Sequence, residues 1–180
     1  MRFTSVSVPK DAGASQRYPV LHARTPYSVA PYGSDAYREG VGPSEAAAKE
    51  GFIFAYQDVR GRFLSEGQFV DVRPHNPAKG PKDVDESSDT WDTIEWLLKK
   101  LPWDNGRVGM WGGSYLATTQ LLAATMQPEG LLALFPSGSY HSRHDMVFQG
   151  GAFYLNDGLS WNLGQAIDVR RRVLTPEVDR

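Results

Sequence analysis

"RVGMWGGSYLATTQ", Arg107 to Gln120, is the stretch on which the reading of this chain turns. An apolar run ends in Gly112, Gly113, Ser114 and Tyr115, and a helix-forming segment follows at once. A nucleophilic serine needs its hydroxyl projected out of the backbone. A sharp strand-to-helix turn does this at the cost of a strained residue, so its neighbours must be small. Gly112 stands two before Ser114 and Gly113 one before, whereas Leu116 occupies the place of the second glycine in G-x-S-x-G, and Ala117 follows it. The amides that open the helix would face a developing oxyanion. The alternative is a plain strand-to-helix turn with a small residue at the bend. The strand signal before Ser114 and the helix signal after it favour the nucleophile.

Working outward, "ESSDTWDTIEWLLKKLP" places Trp91, Ile94, Leu97, Leu98 and Leu101 at spacings of three and four. These make one apolar helical stripe, with Ser87 or Ser88 as N-cap, lysines in the last turn and Pro102 as terminator. "DNG" after it reads as a turn. "FIFAYQDVRG" is apolar on both faces, as expected of an interior strand covered on both sides. "RFTSVSV" alternates as a half-buried strand, "YPVLHARTPY" is a second strand stopped by Pro26, and "GLLALFP" reads as another buried strand. Ser44 caps a short helix through "SEAAAKEG", closed by Gly51. Strand and helix in alternation predict an α/β fold with a mostly parallel sheet. The segment from Gly150 onward leaves that rhythm and ends in a charged run.

Bulk properties narrow the function classes. The chain has 180 residues, 41% hydrophobic and 12% aromatic, enough for one domain with a core. A formal net charge of −2 without a basic stripe gives no reason to expect nucleic acid. No cysteine is present, so disulfides and thiolate chemistry are excluded. His22, His75, His141 and His144 are too scattered for the three or four converging ligands that zinc needs. No apolar stretch approaches the roughly 20 residues of a membrane span. The first ten residues lack the apolar core of a signal peptide, which favours the cytoplasm.

"YPVLHARTPY", "GFIFAYQDVRGRFLSEGQFV", the block from Asp83 to Ala124, and "FQGGAFYL" with "LSW" occur in an order that resembles the X-Pro dipeptidyl-peptidase-like hydrolases, the CocE/NonD group of esterases, acylases and peptidases. The resemblance runs from about Tyr18 to Trp161. It implies an α/β-hydrolase-type fold in which Ser114 is acylated and the backbone N–H of Tyr115 serves the oxyanion hole. It also implies that Tyr27, in the R-[TN]-P-Y loop, donates its phenolic hydroxyl to the same hole. Asp58-Val59-Arg60-Gly61 matches the D-x-R-G of the group, where Asp58 and Arg60 are read as shaping a loop beyond a strand end. Ala117 replaces the glycine usual in G-x-S-Y-x-G. The amino-acid ester hydrolases of the group hold a substrate α-amine with carboxylates. Asp145 lies near that place and is the candidate substrate-binding residue, but Met146 aligns with the position itself.

Hydrolases of this fold order their triad serine, acid, histidine. After Ser114 only His141 and His144 are available, and in the group the acid and base come later, beyond a helical cap. The expectation is therefore a truncated α/β-hydrolase core over residues 1–145, with 146–180 opening the cap, whose triad acid and base are missing. The expected activity is a serine hydrolase cleaving esters or amides of small acyl groups through Ser114, needing neither metal nor organic cofactor. An X-Pro dipeptidyl-peptidase and a non-catalytic remnant of the fold are the alternatives. The expected partner is a small-molecule ester or amide, with no nucleic acid and no membrane, and assembly into a homo-oligomer is left open.

Overall fold

The computed structural model of the chain describes residues 1–33, 35–140 and 142–174. Five strands form one sheet in the order β1-β3-β2-β4-β5: β1 is Thr4–Ser7, β2 Tyr18–Thr25, β3 Ile53–Asp58, β4 Asp104–Gly113 and β5 Leu131–Ser137. β2, β3, β4 and β5 run parallel, and β1 pairs antiparallel with β3. The expected mostly parallel α/β sheet is present. Every residue of β3 is buried, as its two apolar faces predict.

Alternation along the strands sorts the core into two layers. Val20, Ile53, Ala55, Val108 and Met110 pack with Ile94, Leu97 and Ala123 of two helices, α2 (Glu86–Lys100) and α3 (Tyr115–Met126). On the other face Ala23, Phe54 and Tyr56 cluster with Val29 from the loop that follows β2. A short helix α1, Glu45–Lys49, takes Ser44 as its N-cap, and Gly51 beyond its end has φ +81°. Beyond the sheet come α4 (Arg143–Val147), a two-stranded hairpin of β6 (Phe148–Gln149) and β7 (Ala152–Phe153), and α5 (Leu155–Leu174). Gly150 and Gly151 close that hairpin at φ +60° and +85°, the double positive φ of a two-residue turn. The domain division expected at residue 145 falls inside α4.

Three local expectations are corrected. The N-cap of α2 is Asp85, not Ser87 or Ser88; its carboxylate accepts from the Ser88 amide while Ser88 Oγ accepts from the Asp85 amide, a reciprocal box. A carboxylate caps as well as a hydroxyl, and here it also accepts from the Asn76 amide and Lys79. Asp104-Asn105-Gly106 is a bulge within β4 rather than a turn before it. Between Tyr18↔Asp104 and Val20↔Val108 the pairing register shifts, and Gly106 sits at φ +81°. β5 is not a buried strand. It lies at the sheet edge with Leu132 and Phe135 exposed, because no helix of the described residues covers its outer face.

Candidate active site

The end of β4 delivers Ser114. Its backbone stands at φ 54°, ψ −118°, a conformation that costs a non-glycine residue on the order of 1–3 kcal/mol. Three contacts hold it there. The Ser114 amide donates to the Ser137 carbonyl at 2.9 Å, and the Ser114 carbonyl accepts from the amides of Ala117 and Thr118 at 3.0 and 3.1 Å. Ser114 occupies the N-cap position of α3, yet its side chain makes no capping bond, which leaves the exposed hydroxyl available for chemistry. The flanking glycine is required for a reason of space. Gly112 has φ +132°, and a Cβ built on it would come within 2.6 Å of Leu116 Cβ.

Tyr115 N–H is the first amide of α3, and the opening amides of a helix have no intrahelical acceptor. Its side chain plays a different part. The ring is buried, its hydroxyl accepts from the Val72 amide at 3.2 Å, and burial pushes the phenol well above its ordinary pKa. Tyr27 meets Tyr115 edge to face with centroids 6.3 Å apart, and Trp161 of α5 stacks on Tyr115 at 6.5 Å. The indole N–H of Trp161 reaches the Tyr27 hydroxyl at 3.4 Å. Ser114, Tyr115 and Tyr27 line one cavity of about 480 Å³, together with Tyr140, Arg143 and Met146.

The loop bearing Tyr27 is fixed by charged side chains from neighbouring strand ends. Buried Asp58 accepts from the Val29 amide at 2.9 Å through Oδ1 and from the Tyr32 hydroxyl at 2.7 Å through Oδ2. Arg62 Nε donates to the Pro26 carbonyl at 2.9 Å, one residue before Tyr27, and its guanidinium also reaches the Gln165 carbonyl of α5. Arg60 forks onto Asp89 of α2. A Cβ on Gly61 would overlap the Phe69 backbone nitrogen, so the glycine of D-x-R-G permits a close chain crossing. Asp58 and Arg60 thus shape the loops, as read from the sequence.

Beneath these loops the strand ends bury a polar network. Arg24 of β2 pairs with Glu86 at the start of α2 at 3.0 Å, and also donates to Gln57 of β3. His22, two residues earlier on the same strand, donates from Nδ1 to the Ala55 carbonyl at 3.1 Å; burial, and then the Arg24 charge, lower its pKa to about 3.

Asp145 does not line the cavity; it lies on α4 with its carboxylate exposed beside His144 Nδ1 at 3.1 Å, whereas the adjacent Met146 does face the cavity. His144 is exposed and stacks on Phe148. His141 lies outside the described residues. Among the described residues lining the cavity there is no histidine and no carboxylate. Among the described residues, too, no three acidic or histidine side chains converge as a metal site, and no helix is long and apolar enough to cross a membrane. Sequence reading had no signal for Arg143, Tyr140 or Trp161 as cavity residues, nor for Arg62 as the anchor of the Tyr27 loop. The only available clue for Arg62 was its place beside the D-x-R-G segment.

The family described as X-Pro dipeptidyl-peptidase (S15 family) matches residues 4–178. The cocaine esterase of Rhodococcus sp. (strain MB1 Bresler) is 36% identical over 133 residues, which is 72% of this chain and 21% of that protein. The chain thus spans about a fifth of the length of this curated relative. Among solved structures, an aminopeptidase from the marine sediment archaeon Thaumarchaeota archaeon is 31% identical with a TM-score of 0.75, covering 91% of this chain and 28% of its own. An α-amino acid ester hydrolase is 34% identical with a TM-score of 0.60, over 73% of this chain and 22% of its own. A CocE/NonD family hydrolase from Staphylococcus aureus, 20% identical, shares the fold at a TM-score of 0.72, over 94% of this chain and 30% of its own.

Proposed function

Because the chain belongs to the X-Pro dipeptidyl-peptidase (S15) family, we propose that it carries the nucleophile and oxyanion hole of a serine hydrolase acting on esters or amides of small acyl groups. The observation that carries the reading is Ser114 itself. It is a non-glycine residue held at positive φ, with its hydroxyl exposed and uncapped, in the same cavity as the Tyr27 hydroxyl and the first amide of α3. A strained backbone persists only where its surroundings over-determine it, and such strain clusters at catalytic positions. Ser28, Phe63, Val72 and Gln127 also stand at positive φ, but of these five residues Ser114 alone lines the cavity.

In the proposed step the Ser114 hydroxyl attacks the acyl carbonyl carbon. The serine proton passes to a general base, and the carbonyl oxygen becomes an oxyanion facing the Tyr115 N–H and the Tyr27 hydroxyl. Collapse expels the alcohol or amine, which takes up the proton held by the base; water, deprotonated in turn by the base, then attacks the acyl carbon, releasing the carboxylic acid and returning the proton to Ser114. The side chain of Tyr115 serves this arrangement indirectly: its bond from the Val72 amide and its stack against Trp161 hold the start of α3 in place. No carboxylate stands among the described residues lining the cavity, which favours substrates without a free α-amine over an X-Pro dipeptidyl-peptidase reading.

Incubation with an activated p-nitrophenyl ester, followed by peptide mass spectrometry, tests the proposal. The acyl mass is expected on the peptide containing Ser114 and is expected to vanish in Ser114→Ala. Acylation confined to other residues, or unchanged in Ser114→Ala, refutes it.

A further inference from the structure

We propose that the cavity beside Ser114 takes substrates that carry a free carboxylate, and that Arg143 is the residue that binds it. The inference rests on that cavity being the substrate site. Among the described residues lining it, Arg143 is the one side chain that carries a formal charge at neutral pH. A substrate ammonium would meet this cation, and no carboxylate stands among the described residues lining the cavity. A substrate carboxylate would meet its complement.

The guanidinium is held in place before any ligand arrives. It lies over the rings of Trp161 and Tyr140, 5.1 and 5.7 Å from their centroids, and its Nη2 corner is ion-paired with Asp71. Asp71 precedes Val72, whose amide is bonded to the Tyr115 hydroxyl, so the same loop fixes both Arg143 and the start of α3. Two aromatic faces and one carboxylate leave little rotamer freedom to lose on binding. Five N–H donors in a rigid fork let arginine serve two carboxylates at once, which the single ammonium of lysine does poorly. Nη2 is engaged by Asp71; Nε and Nη1 have no acceptor among the described residues, and the side chain keeps 36% of its surface open. Burial also lowers the Arg143 pKa, the sign of a cation that has lost part of its water and gains from an anion. Asp71 weakens the attraction, and so does exposure, so the expected discrimination is about tenfold rather than that of a fully buried pair.

The test uses two ligands of one shape, titrated in the Ser114→Ala background so that neither is turned over, with Arg143 either kept or substituted: N-benzylsuccinamate, which ends in a carboxylate, and N-benzylsuccinamide, which ends in a neutral amide. Calorimetric titration of the full chain at low ionic strength is expected to show the carboxylate bound about tenfold more tightly. In Arg143→Gln the two affinities should converge, with the amide's unchanged, and Arg143→Lys should keep only part of the preference. A ratio within about twofold with Arg143 kept, no measurable binding of the carboxylate, or a preference that survives in Arg143→Gln overturns the inference. A second arm measures acylation of Ser114 by the activated ester with N-benzylsuccinamate present. Protection places the anion in the Ser114 cavity; acylation at an undiminished rate with the anion bound places it elsewhere and also overturns the inference. If Ser114 is not acylated even without ligand, the hydrolase reading fails, and the titration ratio still decides the role of Arg143.

Discussion

Gly112→Ala is the substitution that most directly probes how the elbow is built. Two penalties add. Gly112 sits at φ +132°, where an L-residue is strained by roughly 1–3 kcal/mol. The new methyl would lie 2.6 Å from Leu116 Cβ and 2.7 Å from Leu116 Cδ2, an overlap that forces the first turn of α3 to move. Overpacking of this kind costs about 1–3 kcal/mol. The expected loss is therefore about 3 kcal/mol of unfolding free energy, read by urea titration at constant slope. The steric part is separable from the strain. Because the tightest contact is with Leu116 Cβ, Leu116→Ala should relieve little of it, whereas Leu116→Gly should relieve all of it. In a double-mutant cycle, Gly112→Ala with Leu116→Gly should show a favourable coupling of about 1 kcal/mol or more, and with Leu116→Ala clearly less. A Gly112→Ala variant within about 0.5 kcal/mol of the wild type refutes the reasoning, as does equal coupling to the two Leu116 variants.

Two further predictions rest on single groups. Tyr27→Phe should slow acylation of Ser114 by roughly a hundred- to a thousandfold, the usual effect of losing one oxyanion donor, with ground-state ligand binding unchanged; a rate within about threefold of wild type rules that donor out. His22 has a folded pKa depressed to about 3 from 6.5, so its contribution to stability is complete above pH 6.5 and is lost as pH falls from there toward 3. In His22→Gln the slope of unfolding free energy against pH over that window should drop by up to one proton, about 1.4 kcal/mol per pH unit, and an unchanged slope refutes the assignment.

The parts of the fold legible in the sequence are those set by one local rule. β3 could be read because both its faces are apolar, and α2 because its stripe repeats every three to four residues. The elbow was legible because Gly112, Gly113 and Ser114 must be small where strand meets helix. What local rules left out depends on long-range partners. The cap of α2 passed to Asp85 because Asn76 and Lys79, brought from the preceding loop, add bonds to its carboxylate that Ser87 and Ser88 do not receive. "DNG" carries the signature of a turn, and only pairing with Tyr18 and Val20 makes it a bulge. "GLLALFP" has the composition of a buried strand, but its burial depends on which elements flank it, and composition does not carry that. Tyr27 entered only through family resemblance, since its neighbours specify a loop and nothing more.

The candidate site has a common geometric origin that explains why its residues are so scattered in the chain. In an open parallel sheet, ligands bind in the crevice beyond the carboxyl ends of the strands. Tyr27 stands two residues past the end of β2, Ser114 one past the end of β4, and the Ser137 carbonyl that holds the Ser114 amide closes β5. Asp58 is the last residue of β3 and spends both carboxylate oxygens on the loop that follows Tyr27. The four parallel strands therefore each contribute one part at the same edge: the proposed oxyanion donor, its brace, the proposed nucleophile and an acceptor for the elbow. The polar side chains that replace apolar ones near that edge, Arg24, Gln57 and Glu86, tie β2 and β3 to α2 just below it. A buried ion pair adds little net stability over an apolar packing. Here the pair ties the strand that carries the Tyr27 loop to the helix that packs against α3, and so links the elements that carry the two halves of the proposed oxyanion hole.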